Sequence, residues 1–205
     1  MRRKRSPCGF VQTDIDVKSW MAALPPVDAV RPARCPFCDA ASRPVGGRVA
    51  LVGHGLRQRR LWGPPSVDGA PEDLELVLRR YRCRCCGAVI AVGPASVVPG
   101  RLYSATAIAL AFALYGIEHA SHPQVRRRVS PWRPSRRDPA RTLWVTLIRW
   151  VEARRAGVLF GHLRSPPSMS RRLLAAHTAV ALGALAITTA SSPIQRAWAA
   201  AARAR

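Results

Sequence analysis

Two hydrophobic rhythms divide the chain. Between residues 35 and 100 the apolar positions come in short runs broken by turn residues, and from about residue 103 they recur at helical spacing. In the first stretch, RVALVGHG and LRQRRLWG predict two strands around a Gly-His-Gly turn, and GPPSVDGAPED predicts a loop. LELVLRRYRC alternates, with Leu74, Leu76 and Leu78 on one face and Glu75, Val77 and Arg79 on the other, and AVIAV is a short apolar strand ending at Gly93-Pro94. Ahead of it, a basic tip and the Pro-rich ALPPVDAVRPAR predict a flexible arm and linker over residues 1–34, with one short helix near Trp20.

The second stretch predicts a series of helices. Ser104 is placed to cap ATAIALAFALY and Gly116 to end it, and Pro123 suits the first turn of PQVRRRV. After SPWRPSRRD, Asp138 is placed to cap a longer helix from Pro139 to about Ala156, closed by Gly157, with Leu143, Leu147, Trp150 and Val151 forming one apolar stripe. Residues 173–194 contain no Asp, Glu, Lys or Arg, but they are rich in Ala with only a few Leu and Ile. Such a segment predicts a packing or dimerising helix rather than a membrane span. The fold class expected is α+β: a small β-rich module over 35–100, a helical region over 101–157 and Ala-rich helices over 158–205.

Composition adds a partner class. Lys plus Arg number 33 against 11 Asp plus Glu, a formal charge of +22, and nearly all of the cations are arginine. A bias in base composition raises Arg, Ala, Pro and Gly together, yet it leaves the scarcity of acids unexplained. A field of this sign favours nucleic acid or an anionic surface, and arginine's planar fork suits phosphate. The start MRRKRSPCGFVQTDID has a basic tip with no apolar run behind it, unlike a secretory leader. A cytoplasmic, nucleoid-associated location is therefore expected, where paired cysteines serve more often as metal ligands than as disulfides.

RCPFCDA and RCRCCGA each hold a C-x-x-C pair, Cys35 with Cys38 and Cys83 with Cys86. Two such knuckles can close a tetrahedral site of four thiolates, because each sets two sulfurs on one side of a tight turn. The expected cofactor is one structural zinc ion, with no coordination position left for catalysis. About 44 residues separate the knuckles, more than the ~15 to 20 of common arrangements, and inserted strands fill the gap. His54 is an alternative ligand more readily explained as a turn residue. Cys85 and Cys8 are spare thiols.

The helices carry a second candidate site. Arg126, Arg127 and Arg128 lie on one, and Arg141, Thr142, Thr146 and Arg149 on the next, an arrangement like a helix-turn-helix, although the connection is longer than the usual three or four residues. With Arg57, Arg59, Arg60, Arg79 and Arg80 in the β-rich module, these are the candidate DNA contacts.

CPFC, the RR-Y-RC-x-x-CG knuckle, RLYSATAIALAFALYG and VRRRVSPW…TLWVTLIRWVEA together resemble the N-terminal region of certain bacterial insertion-sequence transposases, and short stand-alone proteins related to it. The resemblance covers roughly residues 33–157. It implies a zinc ribbon liganded by Cys35, Cys38, Cys83 and Cys86, and arginine helices that contact double-stranded DNA. The loop near 64–73 and the Pro-rich break before the third helix depart from that pattern.

Catalysis of strand transfer needs carboxylates that hold two metal ions, and after Asp138 the only acid is Glu152. No Ser-His-Asp set, Gly-rich phosphate loop or paired carboxylates appear, and of the five His only His119 and His122 sit close together. The chain is expected not to be an enzyme and to take no small-molecule substrate, with a homodimer possible. Two other readings stay open: a zinc-ribbon adaptor for an acidic protein or RNA, and a zinc protein tethered to a membrane through residues 173–194.

Overall fold

The computed structural model describes residues 8–133, 143–164, 166, 168–190 and 192–203. Within them the chain is a mixed α+β protein with a four-stranded sheet and six helices. Backbone packing divides it into two compact units. The first holds residues up to Arg60 together with Glu75–Pro99, the second Leu61–Leu74 together with the described residues from Gly100 onward.

The first unit is built on the sheet. Strands β1 (Cys8–Gln12), β2 (Leu51–Gly63), β3 (Glu72–Cys83) and β4 (Val89–Gly93) lie in the order β1-β4-β3-β2. β1 runs parallel to β4, from Cys8 opposite Val89 to Gln12 opposite Gly93, and β4 runs antiparallel to β3 with Tyr81 opposite Ile90. The short helix α1 (Val17–Ala22) is capped by Asp16, whose carboxylate accepts from the Ser19 amide at 3.0 Å. Those bonds to Ser19, its side chain first, hold the Asp16 carboxyl below its usual range.

α1 delivers Trp20 into the core, where it is 1% exposed among Val30, Cys35, Leu51, Tyr81, Cys83, Ile90 and Val92. Its indole N–H donates to Val77 O at 2.8 Å, and the Tyr81 hydroxyl donates to Val27 O at 2.6 Å. Segment 8–34 is thus part of this unit and not the free arm its composition suggests. On the other face of β3, Leu76 and Leu78 are also buried. With both faces covered, Tyr81 and Cys83 interrupt the alternation that begins at Leu74.

The Gly-His-Gly segment also differs from expectation. Gly55 takes φ +82°, yet the strand continues from Leu51 to Gly63 without turning. A glycine absorbs that irregularity without the Cβ clash that would end pairing for another residue.

The second unit is helical: α2 (Ala105–Gly116), α3 (His122–Val129), α4 (Val145–Arg155), α5 (Arg171–Ala184) and α6 (Pro193–Ala201). α2 is apolar on every side and buried from Ala105 to Leu114, as a central helix must be. It packs against α3, α5 and α6. Ser104 caps it as expected, its Oγ accepting from Ala107 N at 3.0 Å. Gly116 has a different role from the one expected. It is the last residue of α2, and a Cβ there would run into the Ala175 and Ala176 backbone of α5. The glycine is therefore needed for close helix packing, while Gly157, at φ +71°, does end α4 in a Schellman closure: Val158 N bonds Ala153 O at 2.8 Å and Gly157 N bonds Arg154 O at 3.0 Å.

α4 starts at Val145, not at Pro139, so Leu143 precedes it and is 46% exposed, and Trp144 is buried beside Leu147, Trp150 and Val151 instead. Asp138, the expected cap, lies outside the described residues. No helix among the described residues is long and apolar enough to cross a membrane; the apolar stretch 173–194 is divided between α5 and α6.

Two measurements test this packing. Gly116→Ala pushes a methyl into the α5 backbone, so denaturant unfolding should show a loss of about 1–3 kcal/mol, the range of overpacking substitutions. His122, at the start of α3, accepts from Trp144 N at 3.1 Å through Nδ1, and burial, ahead of the nearby Arg172 and Arg171, lowers its pKa. A lowered histidine pKa means the unfolded chain binds more protons, so this stability is present above the unfolded value of ~6.5 and is lost as pH falls through the folded one. His122→Gln should flatten the dependence of unfolding free energy on pH in that window.

Candidate metal centre and arginine surface

Cys35 and Cys38 lie in the segment before β2, Cys83 ends β3, and Cys86 lies in the turn to β4. The two turns have the same backbone design. In the first, Cys35 N donates to Ala40 O at 3.0 Å and Asp39 N to Cys35 O at 2.9 Å; in the second, Cys83 N donates to Ala88 O and Gly87 N to Cys83 O, both at 2.9 Å. The fifth residue of each is left-handed, Asp39 at φ 56° and Gly87 at φ 74°, the conformation that Gly and Asp adopt most readily. CPFCDA and CRCCGA are therefore two copies of one knuckle.

The knuckles face each other. All four sulfurs lie within 4.8 Å of one another, with Cys35 Sγ 3.7 Å from Cys86 Sγ and Cys38 Sγ 3.7 Å from Cys83 Sγ. Sulfurs about 2.3 Å from an ion at the centre of a tetrahedron are about 3.8 Å apart, whereas a disulfide would draw them to about 2.05 Å. The arrangement can hold one metal ion. Cys35 and Cys83 are buried, Cys38 and Cys86 exposed, so the site sits at the edge of the core that contains Trp20 and Tyr81.

The four thiols ionise unequally. For Cys83, burial opposes the thiolate, but the Cys86 and Cys85 amides and the neighbouring sulfurs outweigh it and draw the pKa down to about 6. For Cys38 the Ala40 amide favours the thiolate, while burial and the sulfurs of Cys86, Cys35 and Cys83 prevail and push it up to about 12. One thiolate forms readily and the next resist, since negative charge accumulates in a small volume; a divalent cation removes that resistance. Among the described residues, neither His54, exposed on β2, nor the exposed Cys85 and Cys8 belongs to the cluster.

The sequence-predicted DNA contacts divide by environment. In the first unit Arg57 and Arg60 are exposed on β2 and Arg80 is half-buried on β3. Arg59 is half-buried, donates to Val98 O at 2.6 Å, and has its pKa lowered by desolvation first and then by Arg57. Arg79 donates through Nε to Pro25 O at 2.9 Å. In the second unit Arg127 and Arg149 are exposed and Thr146 half-buried, and Arg128 donates to Val67 O at 3.0 Å and lies 4.0 Å from Asp68. Arg126 is 4% exposed with its guanidinium 4.3 Å over the Trp132 ring, so it serves packing rather than an open phosphate face. Arg141 and Thr142 lie outside the described residues. His119 is exposed at φ 55°, and His122 is engaged with Trp144 N and edge-on to the Tyr115 ring at 5.2 Å, so they form no metal pair.

One feature of the second unit was missed by sequence reasoning. A groove of about 450 Å³ is lined by Trp62, Tyr103, Trp132, Trp144 and Trp150, with Arg101, Arg126, Thr146 and Arg149 among its other walls. Tyr103 is its hub: its ring meets Trp62, Trp144 and Trp150 edge-to-face at 5.3, 5.8 and 4.8 Å, and its hydroxyl bonds Ser130 at 2.8 Å. The signal available in the sequence was the interleaving of Trp with Arg in PWR and LIRW.

No family model matches the chain, and neither a curated protein nor a solved structure is similar to it. The geometry of the cysteines and of the arginines therefore carries the functional reading.

Cys83→Ser should abolish metal binding, from one ion per chain in elemental mass spectrometry to none, and should lower the unfolding temperature. Cys85→Ser should leave metal content and melting unchanged.

Proposed function

We propose that the chain is a DNA-binding protein stabilised by one structural zinc ion, with a zinc-ribbon-like first unit and a helix-turn-helix-like region in the second, related to the end-binding part of transposases and without a catalytic domain of its own. The observation that carries this reading is a four-sulfur cluster in a chain whose 33 Lys and Arg outnumber its 11 carboxylates threefold. Zinc is the ion that most commonly takes four thiolates in a tetrahedral structural site. A site with four protein ligands has no open position, so the ion serves folding and places β3 and the segment before β2.

The phosphate contacts in this reading are the arginines that project to solvent: Arg57 and Arg60 on β2, Arg127 on α3 and Arg149 on α4. Arg59, Arg79 and Arg126, engaged with carbonyls or an aromatic ring, hold the scaffold instead. Sequence is read in the groove and phosphates fix register, so an arginine-rich surface of this kind supplies affinity before specificity.

Fluorescence anisotropy with a labelled duplex at several salt concentrations tests the proposal. Affinity should fall steeply and linearly on logarithmic axes, by about 0.9 per phosphate contact, and replacing Arg57 and Arg60 by Ala should reduce that slope by about two. Binding that ignores salt, or no binding at all by zinc-loaded protein, would reject it.

A further inference from the structure

The groove around Tyr103 has a composition that duplex binding does not call for. Five aromatic residues and three arginines line it, and among the described residues no carboxylate does. Its volume, about 450 Å³, falls within the ~300–1,000 Å³ of small-ligand clefts. The wall is preorganised. Tyr103, Trp144 and Trp150 are buried and lock one another edge-to-face, and Trp62 is fixed by main-chain bonds to the opposite segment, Trp62 N to Leu102 O at 2.7 Å and Ser104 N to Trp62 O at 3.0 Å.

Trp132 differs from the rest. It is 54% exposed, with Arg126 over its ring at 4.3 Å, so part of the indole is open to a planar partner. Arg149, exposed on α4, and Thr146 one turn before it stand at the same groove. The first turn of α4 contains no acidic residue, so its end of the macrodipole adds to the positive potential.

We propose that this groove binds an unpaired nucleotide of a DNA strand, its base stacked on Trp132 and its phosphate held by Arg149. Stacking platforms beside a positive groove are how proteins take single strands without reading their sequence. A paired base inside a duplex presents no free face, so the groove would select overhangs or locally opened positions. The proposal deepens the DNA-binding reading above and rests on it, naming the state of the DNA that the second unit takes.

The test compares two labelled duplexes of the same sequence, one blunt and one carrying a short thymidine overhang, with a thymidine oligomer as third probe. The overhang should tighten binding by about tenfold, the worth of one stacked base, and the oligomer should quench tryptophan fluorescence. Trp132→Ala, at an exposed site whose folding circular dichroism can verify, should remove the preference and leave blunt-duplex affinity unchanged. Arg149→Ala should weaken the overhang complex more than the blunt one. Equal affinity for the two duplexes by wild-type protein overturns the groove proposal while leaving duplex binding intact. Failure of all three probes overturns both readings. Binding of the oligomer without any duplex binding supports the groove and removes the duplex reading.

Discussion

A chain with 33 cationic side chains and 11 carboxylates cannot balance its charge internally, and much of the structure is organised around that constraint. Some guanidinium groups among the described residues meet a carboxylate: Arg31 and Arg43 share Asp28, Arg34 meets Asp39, Arg128 lies near Asp68, and Arg155 and Arg171 share Glu152. These pairs are largely exposed, where ion pairs contribute little. Several arginines also turn to groups that are polar without being charged. Arg59, Arg79, Arg128, Arg154 and Arg172 donate to the carbonyls of Val98, Pro25, Val67, Leu163 and Tyr115, each far away in sequence or across a turn. Arg126 and Arg172 also lie over aromatic rings at 4.3 Å. Charge-assisted bonds to carbonyls are stronger than neutral ones, and the five donors of a guanidinium let one side chain tie two segments. Arginine is thus a structural crosslink here as well as a surface charge.

The cysteine centre answers the same constraint locally. Four thiolates around a divalent ion would carry a net charge of two minus. Arg34, Arg82 and Arg84 precede or separate the cysteines in sequence. The twin backbone geometry of the knuckles fixes the sulfurs before an ion is bound, with Asp39 and Gly87 in equivalent left-handed positions. Trp20, Tyr81 and the two buried cysteines belong to one cluster, which would couple an ion held there to the packing of α1 and β4.

What was legible in the sequence follows the range of the interaction. The cysteine cluster was readable because C-x-x-C is a local geometry, and so were the cap at Ser104 and the closure at Gly157. β1 was not, because CGFVQ is a strand only by virtue of pairing with β4, which lies about 80 residues further on. Gly-His-Gly looked like a turn because glycine permits one, but permission is not a requirement, and neighbouring pairing carried β2 straight through. Gly116 sat where a helix stop was expected, yet the reason for glycine there is the approach of α5, a contact that no local pattern reveals. The aromatic groove was missed for the same cause: Trp62, Tyr103, Trp132, Trp144 and Trp150 are brought together by tertiary packing alone.

The separation of arginines into crosslinks and free surface also explains why counting basic residues is a poor guide to a nucleic-acid interface. A guanidinium bonded to a carbonyl, such as that of Arg79 or Arg59, has already exchanged part of its hydration for a fixed partner, and recruiting it to phosphate would release the segment it holds. An exposed arginine such as Arg57, Arg127 or Arg149 keeps its water and counterions, and their release is what drives binding to a polyanion. In the proposed reading, phosphate affinity would therefore belong to the second group and stability to the first. Arg126 stands between them, too buried to reach a phosphate directly but stacked on the exposed ring of Trp132. In the proposed complex its charge would act on a strand through that ring, by holding the indole plane in place for a base to cover.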